Sequence, residues 1–446
     1  MKQPAPLVFL LSIAFCVSQF THAQSLSDLD KKRIDLPNGW SLTPVGKNIA
    51  LGDLPLNLVV SNNKKWLAVT NNGQSTQTID LIDRKTGTRV DSIIIAKSWY
   101  GLAFSKNDQF LYASAGHDNH VKKYEIVNNK LRLVDSLVLG AKWPNKIGTA
   151  GLDIEETIYK QLFVVTKDDN SLYVFDLNSK KIINKIALGA EAYTCKLSAD
   201  KKLLYISCWG DKQILVYNIA QQKITTGIPV GSHPNEMVLS KNGRYLYVAV
   251  ADDNAVAIID TKTNKVVETL NAALYPDAPS GSTSNGLALS EDQKTLYVAN
   301  ADNNCLAVFD VTVIGKSKSK GFIPVGWYPT NIKVISKTIY TTNGKGLSSA
   351  ANPWGPNPTN RGQVVLRHQG DSTRPAKVQY IAGLFHGTLS IVNEPSAKQL
   401  SVYSQAVYRN TPYSKEKELN PGGEVGNPIP MKVGDKSPIK HVFYII

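Results

Sequence analysis

A repeat of about 42 residues limits most strongly what this chain folds into. Asp176, Asn218 and Asp260 close three successive third strands and stand 42 residues apart, the length of one four-stranded propeller blade. The second strand of the unit, rich in β-branched and aromatic residues, recurs at 66–70, 110–114, 161–166, 203–208, 245–250, 295–300 and 338–343. The sequence therefore predicts an all-β, seven-bladed β-propeller of four-stranded antiparallel blades.

The two ends of the repeat array predict how the ring closes. Residues Ile49–Gly52 match the outer-strand segment Ile186–Gly189, yet no three strands precede them. We expect this N-terminal strand to complete the last blade, whose third strand is predicted at Gly387–Val392, because closure removes the exposed edges of an open sheet. The propeller is predicted to span 40–408.

Two segments carry a family resemblance. YVAN at 297–300 and IYTTN at 339–343 resemble the YVTN repeat of YncE-like bacterial β-propellers, over about residues 40–405. The resemblance implies the propeller fold. It implies little about activity, because propellers carry many unrelated functions.

The N-terminus is typical of an exported protein. An apolar stretch from Leu7 to Val17 is followed by Thr21-His22-Ala23, which predicts a signal peptide over 1–23 and a periplasmic or secreted location. A lipid anchor through Cys16 is the alternative, although bulky Phe15 precedes it. The stretch is too short to span a bilayer and no later segment is long enough, so no membrane span is expected.

Charge and cysteine content limit which partners and which disulfide bonds this chain can have. The net charge of +14 comes from lysines in turns, such as Lys64, Lys65, Lys201 and Lys202. Solvated turns are one interpretation, and attraction to anionic surfaces or substrates is the other. No nucleic-acid partner is expected, since no basic helix or aromatic ribonucleoprotein-type motif occurs. Cys195, Cys208 and Cys305 give no disulfide framework, although a bridge between Cys195 and Cys208 stays open.

The loops that open the innermost strands are the predicted ligand-binding face. Loops from different blades converge on the propeller axis, and these are rich in aromatic, proline and asparagine residues. Their candidate ligand-binding residues are Trp99, Tyr100, Trp143, Asn145, Tyr193, His233, Asn235, Asn285, Tyr328 and Asn331. Proline and asparagine also shape turns, so a purely structural role for each is the alternative.

No metal site and no cofactor are predicted within this chain. His117, Asp118 and His120 share one turn, with His233 and His386 as further candidates, but no carboxylate cluster accompanies them. A surface turn is therefore the favoured interpretation.

The C-terminal sequence predicts a linker and a further strand. Residues 409–438 have the proline and glycine content of a linker, and 439–446 form an apolar run with strand propensity. That run resembles the opening strand of the bacterial phosphoesterase (alkaline-phosphatase-like) domains that follow YVTN propellers. The resemblance implies a following phosphoesterase-like domain, to which a divalent metal would belong, as partner. The alternative is a tail strand that packs back on the propeller.

Three functional hypotheses follow. The leading one is an exported module that binds a ligand or an envelope protein and serves a linked phosphoesterase domain. The second is a lactonase-like propeller hydrolase at the channel mouth, with Glu155, Glu156, Glu191 and Glu236 as acidic candidates. The third is a plain protein-interaction scaffold. No catalytic residue is assigned.

Overall fold

Seven four-stranded antiparallel sheets form the molecule in a computed structural model, which describes residues 24–142, 144–353, 355, 380–413, 426–432 and 434–444. Blade 1 comprises β4 (Pro55–Val60), β5 (Trp66–Asn71), β6 (Thr78–Asp83) and β7 (Thr88–Ile94). Blade 2 comprises β8 (Leu102–Phe104), β9 (Phe110–Ser114), β10 (His120–Val127) and β11 (Lys130–Val138). Blade 3 comprises β12 (Thr149–Glu155), β13 (Gln161–Thr166), β14 (Ser171–Asp176) and β15 (Lys181–Ala187).

The remaining blades repeat this order. Blade 4 comprises β16 (Ala192–Leu197), β17 (Leu203–Cys208), β18 (Gln213–Asn218) and β19 (Lys223–Pro229). Blade 5 comprises β20 (Pro234–Leu239), β21 (Tyr245–Val250), β22 (Ala255–Asp260) and β23 (Lys265–Asn271). Blade 6 comprises β24 (Ser284–Leu289), β25 (Thr295–Asn300), β26 (Cys305–Asp310) and β27 (Lys318–Pro324), and blade 7 contains β28 (Trp327–Ile335), β29 (Thr338–Gly346) and β30 (Thr388–Asn393).

The N-terminal strand completes blade 7, as the sequence predicts. Strand β3 (Lys47–Ala50) pairs antiparallel with β30, with Lys47 opposite Ile391 and Ala50 opposite Thr388. The fold-class prediction is thus confirmed. Chain segments from the two ends of the array share one sheet, so the ring closes by backbone hydrogen bonds rather than by packing alone.

The hydrophobic core lies between adjacent blades. Tyr247 of β21, for example, is 2% exposed and belongs to a cluster that also contains Leu287 and Leu296 of blade 6. Each sheet buries both faces against its neighbours, which explains why the second strands are apolar throughout instead of alternating. No blade can bury its faces alone, so the ring is the stabilising unit.

A serine-centred turn explains the most regular element of the repeat. In blade 5 the Ser240 hydroxyl donates to Asn242 Oδ1 at 2.7 Å and accepts from the Tyr245 amide at 3.0 Å. Ser61, Ser105, Ser198 and Ser290 make the same pair of bonds in their blades. One hydroxyl therefore fixes the turn from the first strand to the second.

Blade 3 replaces this serine with Glu155. The buried carboxylate accepts hydrogen bonds from the Thr157 hydroxyl and from the amides of Thr157, Ile158 and Tyr159, the last at 2.6 Å. Burial by itself raises the pKa of Glu155, but these hydrogen bonds outweigh it and lower the pKa to about 2. The carboxylate is therefore ionised and structural at neutral pH.

Glu155→Gln is expected to lower the free energy of unfolding at pH 7 by roughly 2–3 kcal/mol. Because the folded-state pKa lies below the ordinary value of 4.5, the stabilisation is present above about pH 4.5 and is lost as the pH falls toward 2. Denaturant melts from pH 3 to pH 7 would show the gap between wild type and variant closing toward acid. Glu191→Gln, in another connection, is the control, and a gap independent of pH would contradict this role.

Two helices, which the repeat pattern did not predict, brace the outside of the ring. Helix α1 (Leu26–Asp30) contacts helix α2 (Ala397–Asn410), and α2 packs along β27. The Ser404 hydroxyl accepts the Phe322 amide at 2.8 Å, and Arg409 forms an ion pair with Asp30 at 2.6 Å. A two-stranded sheet of β1 (Ile34–Asp35) and β2 (Ser41–Leu42) lies beside α2. Among the described residues, no helix is long and apolar enough to cross a membrane.

Candidate functional site

One register position of the innermost strands lines the propeller axis. It lies four residues before the turn serine or its equivalent and holds Asn57, Gly101, Gly151, Thr194, Glu236, Gly286 and Asn331 in blades 1 to 7. Six of the seven innermost strands have a register shift close to this position. Such bulges redirect side chains, which here places polar groups at the axis.

The polar members form a hydrogen-bonded set that we call the axial network: Asn57, Tyr100, Glu236, Asn331 and Lys333. The Asn331 amide nitrogen donates to Glu236 Oε2 at 2.8 Å and to Asn57 Oδ1 at 3.1 Å. Asn57 in turn donates to the Tyr100 carbonyl at 2.6 Å, and Lys333 Nζ donates to Glu236 Oε1 at 2.7 Å. The network therefore links blades 1, 2, 5 and 7 across the axis.

Tyrosines pack on the side of the network where the innermost strands begin. The rings of Tyr100 and Tyr193 lie 4.6 Å apart at their centroids, and Tyr328 hydrogen-bonds to Asn285. Burial and the nearby Glu236 carboxylate raise the pKa of Tyr100 and of Tyr193 well above the ordinary value. Both phenols stay neutral, so Tyr100 serves as a hydrogen-bond partner of Glu236 rather than as an anion.

A cavity of 320 Å³ lies beside the network, toward the ends of the innermost strands. Residues from six of the seven blades line it, and it extends to Asn62 in the turn after β4. Its charged lining residues are Asp153, Lys196, Glu236 and Lys333, and its apolar ones include Val59, Ala103 and Phe104. We call this space the axial cavity.

The carboxylates of the axial cavity are better supplied with hydrogen-bond partners than its lysines. Asp153 accepts the amides of Ile154 and Leu197, each at 2.9 Å, and Glu236 accepts from Asn331 and Lys333. Lys196, whose side chain is 48% exposed, lies 3.9 Å from Asp153. An ammonium group has three donors, so Lys196 keeps capacity for a ligand.

Charge is distributed unequally between the two faces of the ring. We define the lower face by the turns that join first to second and third to fourth strands, and the upper face by the other connections. In the described connections, the lower face carries fifteen basic residues, namely Lys64, Lys65, Arg84, Lys85, Lys106, Lys160, Lys180, Lys201, Lys202, Lys241, Arg244, Lys262, Lys294, Lys316 and Lys337. The acidic residues there are Asp108, Glu156, Asp200, Glu291 and Asp292, together with Glu394 directly after β30.

The upper face has the opposite balance. Its described connections carry Lys97, Lys142, Lys146, Lys167 and Lys212 against ten acidic residues, namely Asp53, Asp118, Asp168, Asp169, Glu191, Asp211, Asp252, Asp253, Asp277 and Asp302. Among the described connections, the positive charge is thus concentrated around the lower face, toward which the axial cavity extends. A field of this sign raises the local concentration of anions.

The structure brings some of the predicted site residues together. Tyr100 and Asn331 belong to the axial network, the Tyr193 ring packs at a tilt against Tyr100, and Asn235 donates to Asn285 Oδ1 at 2.7 Å beside Tyr328. These six lie around the upper end of the axis. Of them, only Tyr100 also lines the axial cavity.

The other predicted residues lie away from this group. Trp99 packs between blades and under the Lys167 ammonium, 4.6 Å from its ring centroid. Asn145 is exposed, and His233 contacts Trp209 and Asp252 on the upper face. Trp143 lies outside the described residues.

The residues that line the lower half of the axial cavity were not predicted from the sequence. Asn57, Asp153, Thr194, Lys196 and Lys333 were not among the predicted ligand-binding residues, and Glu236 entered only as an acidic candidate. The register of the innermost strands could have identified three of these residues, because Asp153, Lys196 and Lys333 all lie two residues before the turn serine or its equivalent.

The acidic, histidine and cysteine candidates are dispersed. Glu155 ends strand β12 and Glu156 begins the lower turn after it, whereas Glu191 lies in an upper connection and Glu236 lies at the axis. Among the described residues, no group of three or more His, Cys, Asp or Glu side chains is arranged to hold a metal ion. His117 instead contacts Asp168 at 2.9 Å. Cys195, Cys208 and Cys305 are buried free thiols, and burial raises the pKa of Cys208 to about 12.

The closed ring with its axial cavity defines a β-propeller of the binding-scaffold class. The chain belongs to the YNCE-like beta-propeller family, whose model matches residues 3–337. No curated protein matches it. Similar solved structures include hydrazine synthase of Kuenenia stuttgartiensis, with TM-score 0.54 and 16% identity over 65% of this chain and 92% of that chain.

The WD40 repeats of RRP9 and the U3-55K structure are also similar. Each has TM-score 0.56 and 11% identity over 77% of this chain, covering 97% and 98% of the respective chains. At these identities the likeness shows the propeller fold alone.

Proposed function

We propose that this chain is a non-catalytic binding module whose axial cavity takes a small polar ligand with an anionic group. The observation that carries the proposal is a cavity of 320 Å³ that six blades line with fixed polar groups. Its volume lies at the lower end of the range for small-molecule sites. Apolar walls with a few convergent polar groups are the usual composition of such sites.

Lys196 supplies the anion contact in this proposal. Both acids of the cavity already accept short hydrogen bonds, whereas Lys196 is half exposed and only loosely paired with Asp153. Thr194 and Asn57 lie in the same lining and offer uncharged donors and acceptors. The basic lower face favours the approach of an anion to the cavity.

Lys196→Ala is expected to weaken binding by about tenfold to a hundredfold, the value of a charge-assisted hydrogen bond. Ligands would be found by calorimetric screening of small carboxylates, sulfonates and phosphate esters. Lys241→Ala removes an equal charge from the lower face outside the cavity, and it should change affinity less than threefold or so. Equal losses in both variants would show that only the general field matters, and would refute the assigned site.

The module is proposed to work in the periplasm or outside the cell. Residues 1–23, which carry the predicted signal peptide, lie outside the described residues, so the proposal stands on their sequence alone. N-terminal sequencing of the protein recovered from a periplasmic fraction should begin at Gln24. Recovery in the cytosol with Met1 intact would contradict it.

A linked phosphoesterase domain is a second proposal for how the module is used. Val442, Phe443 and Tyr444 are 84%, 88% and 87% exposed, and three adjacent large apolar side chains favour packing against another surface. This is the run that resembles the opening strand of phosphoesterase domains. The parent reading frame provides the test: an acidic, asparagine-containing metal-binding segment should follow the run, and its absence would end the proposal.

A further inference from the structure

We propose that the lower face docks on an anionic lipid bilayer. The proposal is independent of the ligand in the axial cavity, because it rests on the turns around the rim of the lower face. Two observations support it: the excess of basic residues in these turns and a set of exposed apolar side chains in or directly beside them.

The first feature is the net positive charge of the turns on the lower face. Basic residues outnumber acidic ones more than two to one in the described lower connections, whereas acidic residues prevail in the described upper connections. A surface polarised in this way is attracted to anionic headgroups and is oriented by them with one face inward. The basic residues belong to turns of all seven blades, so the attraction acts over the whole face rather than at one pocket.

The second feature is three exposed apolar side chains at the lower face, two of them in turns and one at the end of strand β10. Ile158 is 64% exposed, Val313 56% and Val127 40%, and they belong to blades 3, 6 and 2. Each has a lysine within three residues of it in sequence: Lys160, Lys316 and Lys130 respectively. Apolar side chains flanked by lysines suit the boundary between headgroups and acyl chains, where the ammonium groups stay in the polar layer.

Two of these turns are held rigid by buried or partly buried carboxylates. Glu155 Oε2 accepts the Ile158 amide at 2.8 Å, and Glu268 accepts the amides of Gly315 and Ser317 at 2.7 and 2.8 Å. Rigid presentation reduces the entropy lost on docking. It also means that Ile158 and Val313 cannot easily fold back to bury themselves.

A bilayer fits these side chains better than a protein partner or a soluble polyanion. The three apolar residues sit in different blades and form no continuous patch, whereas a stable protein interface needs a contiguous apolar core. A soluble polyanion would account for the lysines but not for the exposed isoleucine and valines. Both alternatives are separated from the proposal by the experiment.

Co-sedimentation with vesicles tests the proposal. The protein should bind vesicles of equimolar phosphatidylcholine and phosphatidylglycerol at low salt, bind pure phosphatidylcholine weakly, and dissociate at high salt. Lys160→Glu with Lys316→Glu should reduce the partition coefficient by roughly tenfold or more. Lys142→Glu with Lys146→Glu changes the net charge equally on the upper face and should leave most of the binding intact.

The apolar contribution is measured separately. Ile158→Asp should reduce binding several-fold while leaving the melting temperature nearly unchanged, because the side chain is already exposed. Equal effects of the upper-face and lower-face lysine pairs would overturn the proposal. So would binding to dextran sulfate without binding to anionic vesicles, or full vesicle binding by Ile158→Asp. Lys196→Ala should not alter vesicle binding, which keeps this test distinct from that of the axial cavity.

Discussion

Glu236→Ala is expected to lower the free energy of unfolding by about 3 kcal/mol, because it removes the carboxylate of a mostly buried ion pair. Lys333 Nζ would lose its 2.7 Å carboxylate partner, and the Asn331 amide would lose its 2.8 Å acceptor. The Glu236 and Lys333 side chains are only 12% and 25% exposed, so water replaces the lost contacts poorly. Urea denaturation of wild type and variant measures the difference.

Glu291→Ala is the matched control for this ion pair. Glu291 pairs with Lys64 at 3.1 Å on the lower face, where both side chains are about half exposed, so its loss should change the free energy of unfolding little. The double variant Glu236→Leu with Lys333→Met should recover most of the stability, since it removes both charges. A Glu236→Ala effect no larger than that of Glu291→Ala would contradict a buried network at the axis.

Gly151→Ala is expected to destabilise the propeller by about 3 kcal/mol, through forced separation of two innermost strands. A Cβ atom at Gly151 would stand 2.3 Å from the Thr194 Cα atom, and backbone cannot rotate away as a side-chain end can. Strands β12 and β16 would have to move apart beside the axial cavity. Gly286→Ala should behave alike, because its Cβ would meet the Asn331 Cα atom at 2.6 Å.

Gly383→Ala is the control for the glycine substitutions. The nearest atoms to its Cβ position lie 4.0 Å away, so the same chemical change should shift the melting temperature little. A Gly151→Ala protein as stable as the wild type would show that strands β12 and β16 do not lie this close together beside the axial cavity. The axial cavity would then have a different shape from the one described.

Much of the fold follows from the sequence because each blade is specified by residues that lie close together in the chain. The turn serine, the apolar second strand and the 42-residue spacing each report one blade, and a match between Ile49–Gly52 and Ile186–Gly189 reveals how the ring closes. Helix α2 was not predicted. Its apolar residues, including Leu400, Tyr403 and Val407, follow a helical spacing, but they lie where the repeat pattern predicts only the end of the last blade.

The site was harder to predict, for a physical reason. Loop composition favours the upper connections, where aromatic, proline and asparagine residues gather, and it singled out Tyr100 and Asn331, which the structure places in the axial network. The lower half of the axial-cavity lining depends instead on which side chains of the innermost strands point to the axis below the β-bulges. Lys196 and Lys333 look like ordinary strand lysines in sequence, and only the register across blades places them together.

The most direct measurement is an electron-density map of the protein with a ligand from the calorimetric screen. We expect the ligand in the axial cavity, with its anionic group within hydrogen-bonding distance of Lys196 Nζ and with the Glu236–Lys333 pair intact. A ligand bound instead among the upper loops near His233 and Tyr328, or outside the ring altogether, would contradict the proposed site.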